Sequence, residues 1–104
     1  MITINFKKNN GSWKSFQSKG HAGYAQSGSD IVCAGVSALL YTTVNMIYEQ
    51  LKVDSNFIQD EDGMSFEVYD IDDRTDLLIE SLFQGLIAID RSYPEYIEIY
   101  IKEE

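Results

Sequence analysis

Apolar and polar residues alternate with a period of two at the start of the chain, over residues 2–7. This period predicts a strand that buries one face and exposes the other. The dipeptide Asn10-Gly11 follows, and it tolerates the positive φ angles of a two-residue hairpin turn. We therefore predict that residues 13–19 return as a second strand beside the first.

A glycine-rich segment and a long apolar segment come next. Residues 20–29 contain three glycines among small and polar side chains, which predicts a mobile loop. Asp30 can cap a helix that begins after it. Apolar residues then recur at helical spacing, at Cys33, Val36, Leu40, Val44, Ile47 and Leu51. The pattern therefore predicts a helix whose first turn contains Cys33.

A second hairpin is predicted after this helix. Asp62-Gly63 is the expected turn, because this dipeptide also tolerates positive φ angles. Residues 64–69 alternate between apolar and polar side chains and are expected to form the outgoing strand.

A second helix and a last strand complete the chain. Asp72 or Asp73 can cap the helix, which is expected to end before Pro94. Residues 96–102 alternate clearly and predict a fifth strand. The apolar stripe of the helix is expected to contain Leu78, Leu82, Leu86 and Ile89.

The predicted order is strand, strand, helix, strand, strand, helix, strand. The two hairpins make most of the five-stranded sheet antiparallel, so the fold class is α+β with two layers. The length of 104 residues suits one domain, spanning residues 1–104.

Composition narrows the classes of function. Seventeen acidic and eight basic residues give a formal charge of −9, which disfavours binding to nucleic acids or anionic membranes and favours basic partners. We see no apolar run of bilayer-spanning length and no signal peptide, and therefore expect a cytoplasmic protein. One cysteine and one histidine are too few for a disulfide or a structural zinc site, so we expect neither metal nor cofactor.

The lone Cys33 and the lone His21 are the candidates for chemistry. The glycine-rich loop between them can fold back and bring the imidazole to the sulfur. Backbone N–H groups in the first turn of a helix favour an anion, and a thiolate is a strong nucleophile. His21 would pair with the thiolate and then protonate the leaving amine. Alternatively, Cys33 is a packed apolar residue and His21 a surface histidine.

Several residues near Cys33 and His21 are candidates for supporting the reaction. Asp30 caps the helix, and its carboxylate could also orient the imidazole. Ser37 lies one turn after Cys33, where its hydroxyl can bond a helix carbonyl or help hold the site. Gly23 and Gly28 are expected to give the loop over the site its freedom to move.

The phrase Gly20-His21-Ala22, followed by the Gly28–Ala38 sequence GSDIVCAGVSA, resembles the ribosomal-processing cysteine protease family, Prp. The resemblance covers the full length and implies a bacterial endopeptidase that removes a short N-terminal extension from large-subunit ribosomal protein twenty-seven. It implies a nucleophile at Cys33, a base at His21 and motif residues at Asp30 and Ser37. It also implies a homodimer and a loop that rearranges over the substrate.

The sequence therefore predicts a thiol endopeptidase that acts through Cys33 and His21. The rival hypothesis is a non-catalytic ribosome-assembly or adaptor protein that binds basic ribosomal proteins through its acidic surface.

Overall fold

The computed structural model describes residues 1–26 and 30–104, and its element order matches the predicted one. A π-helical segment, Asn45–Gln50, continues the first helix. The elements are β1 (Ile2–Asn9), β2 (Ser12–Gly20), α1 (Ile31–Val44), β3 (Ser55–Gln59), β4 (Gly63–Val68), α2 (Asp73–Ser92) and β5 (Ile97–Glu103).

The five strands form one sheet in the order β3-β4-β2-β1-β5. Neighbouring strands are antiparallel except β1 and β5, which are parallel because the chain returns to the sheet through α2. The predicted α+β fold with a mostly antiparallel sheet is confirmed. Strand β2 lies at the centre of the sheet, so the loop that leaves its end starts from a rigid base.

The first hairpin forms at the predicted dipeptide. Asn10 and Gly11 have φ angles of 52° and 83°, which suit the tight turn between β1 and β2. One face of the sheet then packs against the helices and forms the core. The largest fully buried side chains from the sheet are Phe6, Phe16, Phe66, Ile4 and Val68.

Helix α2 begins with a capping box. The Asp72 carboxylate accepts hydrogen bonds from the N–H groups of Arg74 and Thr75, at 2.8 and 3.0 Å, and the Thr75 hydroxyl accepts one from the N–H of Asp72. The helix ends at Ser92, before the proline, as predicted.

The predicted stripe of α2 is correct only in part. Leu82 and Leu86 are fully buried, but Ile79 rather than Leu78 occupies the buried position one turn earlier. Leu78 and Ile89 lie at the margin of the core.

The expectation about apolar runs was wrong. Ile31–Gln50 forms a 20-residue helical stretch of mean hydropathy 1.6, which by length and composition alone could cross a bilayer. Here the stretch packs on its neighbours, with Val32 and Val36 buried in the core. Leu39 packs against Gly85 of α2 closely enough that a Cβ at Gly85 would lie 2.9 Å from it. Core packing accounts for the buried third of this apolar stretch, whereas Ile31, Met46 and Tyr48 are exposed.

The predicted turn of the second hairpin was also wrong. Residues 60–62 connect β3 to β4, and Gly63 is the first residue of β4. The Asp60 carboxylate accepts hydrogen bonds from the N–H groups of Asp62 and Gly63, at 2.8 and 3.0 Å, and thereby forms the turn. Gly63 is needed for another reason, because a Cβ there would lie 1.9 Å from the carbonyl oxygen of Ser18 on β2.

Gly63→Ala is expected to destabilise the fold severely, by more than about 3 kcal/mol, because strand β4 must move away from β2. Gly11→Ala is the matched control, since its φ is positive but no atom lies within 4 Å of the added Cβ. It should cost only about 1–2 kcal/mol. Urea unfolding followed by the fluorescence of the single, buried Trp13 measures both. Equal losses would contradict the close approach of the two strands.

Candidate active site

Cys33 is the third residue of α1 and carries a free, half-buried thiol. Its backbone N–H donates a hydrogen bond of 2.9 Å to Oδ1 of Asp30, the N-cap residue. The predicted cap and the predicted place of Cys33 in the first turn are therefore both present. The thiol therefore lies at the end of the helix where the first backbone N–H groups have no intrahelical partner.

Asp30 joins the start of α1 to the segment that follows His21. Its Oδ1 bonds the N–H of Cys33, while its Oδ2 accepts a hydrogen bond of 3.1 Å from the N–H of Tyr24. These backbone hydrogen bonds, that of Cys33 above all, hold the pKa of Asp30 below its ordinary value, although partial desolvation opposes them. Both carboxylate oxygens therefore accept hydrogen bonds from backbone N–H groups. Within the described residues, no hydrogen bond joins Asp30 to the imidazole of His21.

His21 follows the last residue of β2, and its backbone is held from two directions. Gly20 has a φ of +90°, and a Cβ there would lie 2.5 Å from the carbonyl oxygen of Met1. The ammonium group of Met1 donates a hydrogen bond to the carbonyl oxygen of His21. The N–H of Gly20 donates to the carbonyl of Asp62 in the β3–β4 turn. The imidazole itself is exposed.

His21 and Cys33 line one cavity of about 530 Å³. Asp30, Ser37 and Gly23 also line it, so the structure brings together all the sequence-predicted site residues that it describes. Gly28 lies outside the described residues. Among the residues described, none donates or accepts a hydrogen bond with the Ser37 side chain, which faces the cavity rather than capping a helix carbonyl. The remaining lining residues are Ala25 and Ala34.

Tyr24 anchors the loop, a role that was not predicted from the sequence. Its ring packs edge-on against Tyr93 and Tyr96, with ring centroids 5.4 and 5.2 Å apart. Such pairs stabilise by about 0.5–1.5 kcal/mol each beyond simple burial. Gly23, with a φ of +72°, turns the chain between the histidine and this anchor. Tyr93 and Tyr96 belong to the connection between α2 and β5, which is distant from Tyr24 in sequence. The local sequence around Tyr24 therefore does not predict this contact.

Metal-ligating side chains do not cluster in the part of the chain that is described. Within residues 1–26 and 30–104, no three His, Cys, Asp or Glu residues lie close enough together to hold a metal ion.

Relatives with established names resemble this chain over nearly its whole length. The chain is 31% identical to the ribosomal processing cysteine protease Prp of Staphylococcus aureus, with 98% of this chain and all of that protein covered. It is 34% identical to the protein of the same name from Bacillus subtilis, with 82% of each chain covered.

Solved structures agree with this relationship. The crystal structure of the S. aureus protease Prp in complex with a covalently linked product peptide has a TM-score of 0.91 at 29% identity, covering 98% of this chain and all of that one. SMU.848 from Streptococcus mutans has a TM-score of 0.86 at 29% identity, covering all of this chain and 96% of that one.

The model of the family described as cysteine protease Prp matches residues 1–98. With the fold, the shared cavity of Cys33 and His21 and these relatives in agreement, the chain belongs to the ribosomal-processing cysteine protease family Prp.

Proposed function

We propose that this protein is an endopeptidase that cuts through nucleophilic attack by Cys33, assisted by His21. The observation that carries the proposal is that the one cysteine, in the first turn of α1, shares a cavity with the one histidine in a chain of a cysteine protease family. The cavity that the two residues share is large enough for several residues of an extended peptide.

The reaction follows from these two groups. The Cys33 thiolate adds to the scissile carbonyl, and the C–N bond breaks as the His21 imidazolium gives its proton to the leaving amine. Water, deprotonated by the neutral imidazole, then hydrolyses the thioester and regenerates the thiolate. The N–H groups of Cys33 and Ala34 already bond Asp30, so we assign the oxyanion to neighbouring backbone amides rather than to these two.

We further propose that the substrate is the precursor of large-subunit ribosomal protein twenty-seven, from which a short N-terminal extension is removed in the cytoplasm. The words "ribosomal processing" in the names of the S. aureus and B. subtilis relatives support this proposal. A formal charge of −9 supports attraction to a basic precursor. The proposal that the chain forms a homodimer is supported by the family resemblance alone.

Asp30 and Ser37 are proposed as supporting residues. Asp30 fixes the distance between the histidine's segment and the nucleophile's helix, because its carboxylate bonds both. Ser37 presents its hydroxyl to the cavity next to the thiol, where it can bond the substrate backbone. Gly23 and Gly28 are proposed as the positions at which the loop over the site bends.

Cys33→Ala is expected to abolish cleavage of the ribosomal protein precursor and leave the fold intact, because the change is small in volume but deletes the nucleophile. Mass spectrometry of the precursor after incubation with either protein measures cleavage and maps the junction. Cleavage by the variant would refute the mechanism. Binding of the uncut precursor by both proteins would instead support the adaptor hypothesis.

His21→Ala is expected to lower kcat by about 10²–10⁴-fold, because the leaving amine then lacks its proton donor. The side chain is exposed, so the melting temperature should change little. Steady-state kinetics on a peptide spanning the mapped junction measures kcat, with Lys19→Ala as a control on a neighbouring exposed cation. A fall below tenfold would remove His21 from the reaction.

Asp30→Ala is expected to lower the melting temperature by roughly 5 °C at pH 7, because one cap and one loop contact are lost. The pKa of Asp30 is depressed in the folded chain, so its carboxylate stabilises the fold above the unfolded-state value of about 3.8. That contribution disappears as the pH falls through the folded-state pKa. Melting curves from pH 7 to pH 2.5 should therefore converge for wild type and variant only at the acid end. A constant difference would argue against the carboxylate bonds.

A further inference from the structure

Tyr24 lies three residues after His21, beside the cavity that the histidine shares with Cys33. Its two neighbours, Gly23 and Ala25, line that cavity. The Tyr24 ring is not part of this lining and packs instead against the connection between α2 and β5. The ring is 40% exposed, so it contributes little to the core. Its contact therefore holds one wall of the cavity from the outside.

Two tyrosines form the surface that receives the ring. The centroid of the Tyr24 ring lies 5.4 Å from that of Tyr93 and 5.2 Å from that of Tyr96, with the ring planes at 85° and 73°. Edge-to-face pairs at these distances are favourable and directional, because the positive edge of one ring meets the negative face of the other. Both partner rings are half-buried and pack against the core. The receiving surface is thus fixed, and it fixes the position of Tyr24.

Hydrogen bonds of the backbone connect the same surface to His21 by a second route. The carbonyl of Tyr96 accepts a hydrogen bond of 3.0 Å from the N–H of Ile2. The preceding residue, Met1, donates a hydrogen bond to the carbonyl of His21. Together with the ring contact between Tyr24 and Tyr96, these bonds close a circuit of contacts. The backbone of His21 is therefore tied to the α2–β5 connection both directly and through its own segment.

The imidazole depends on these contacts because its own surroundings restrict it little. The His21 side chain is exposed. Ala22 is only 4% exposed and fixes the start of the segment in the core. Gly23 follows with a φ of +72° and has no side chain that could pack. The Tyr24 ring is thus the first side chain after Ala22 that holds this segment in place.

We propose that Tyr24 is a positioning residue for the His21 imidazole. The inference rests on the proposed peptidase activity. By packing on Tyr93 and Tyr96, the ring holds the segment that begins at His21 in the path that places the imidazole at the cavity with Cys33. Without the ring, the segment has more paths available, and the imidazole spends less time within reach of the leaving amine. The ring acts through the histidine because it does not itself line the cavity.

Tyr24→Ala tests the proposal, because it removes the ring and keeps the backbone N–H that bonds Asp30. On a peptide that spans the mapped junction, it is expected to lower kcat roughly tenfold and to change KM less than about twofold, since a misplaced catalytic group costs rate rather than binding. Tyr24→Phe keeps the ring and should retain the wild-type kcat. Tyr69→Ala is the matched control, because Tyr69 is similarly exposed and lies outside the site. It should leave kcat unchanged.

Combination with His21→Ala distinguishes positioning of the imidazole from a general effect on the fold. If Tyr24 acts through His21, Tyr24→Ala should lower the residual kcat of the His21→Ala protein by less than about twofold. A fall of about tenfold in this background would overturn the proposal, because the ring would then act on a group other than the imidazole. A wild-type kcat in the Tyr24→Ala protein would overturn it as well.

The single histidine also allows a test that needs no substrate. Protein that contains isotope-labelled histidine gives one set of imidazole signals in NMR spectra. Tyr24→Ala is expected to move these signals toward those of a free histidine side chain, whereas Tyr24→Phe and Tyr69→Ala should keep them in place. Unchanged signals in the Tyr24→Ala protein would refute the positioning role even if the wild-type protein is an active peptidase. Signals that move, together with no cleavage by wild-type protein, would overturn the peptidase activity and with it the role of Tyr24 in catalysis.

Discussion

The geometry of the site depends on the two oxygens of the Asp30 carboxylate. One bonds the N–H of Cys33 and the other the N–H of Tyr24. Both donors are backbone groups, so the contact fixes the path of the chain rather than one rotamer. Each bond favours the ionised carboxylate, and this lowers the pKa of Asp30. The carboxylate is therefore charged at neutral pH and keeps both hydrogen bonds. The start of α1 and the segment after β2 are thus held as one unit around the thiol.

The close approach of two strands in the sheet is the second contact on which the geometry of the site depends. Gly63 lets β4 approach β2 so closely that no other residue fits, and this approach brings the acidic turn beside the strand that carries His21. Mutations in the hairpin should therefore affect the site even where they touch neither the thiol nor the imidazole.

The sequence by itself determined the element order, the first hairpin at Asn10-Gly11 and the cap at Asp30, because each depends on local backbone preferences. The placement of Cys33 and His21 at one site was also expected from the sequence, through a motif within thirteen residues, and both residues line one cavity. Tertiary structure alone decided the role of Gly63, which is close approach to β2 rather than turn formation, and the anchoring of Tyr24 on Tyr93 and Tyr96. It likewise decided that the apolar stretch Ile31–Gln50 packs on a sheet and a second helix. These features depend on contacts between residues distant in sequence, which no local pattern records.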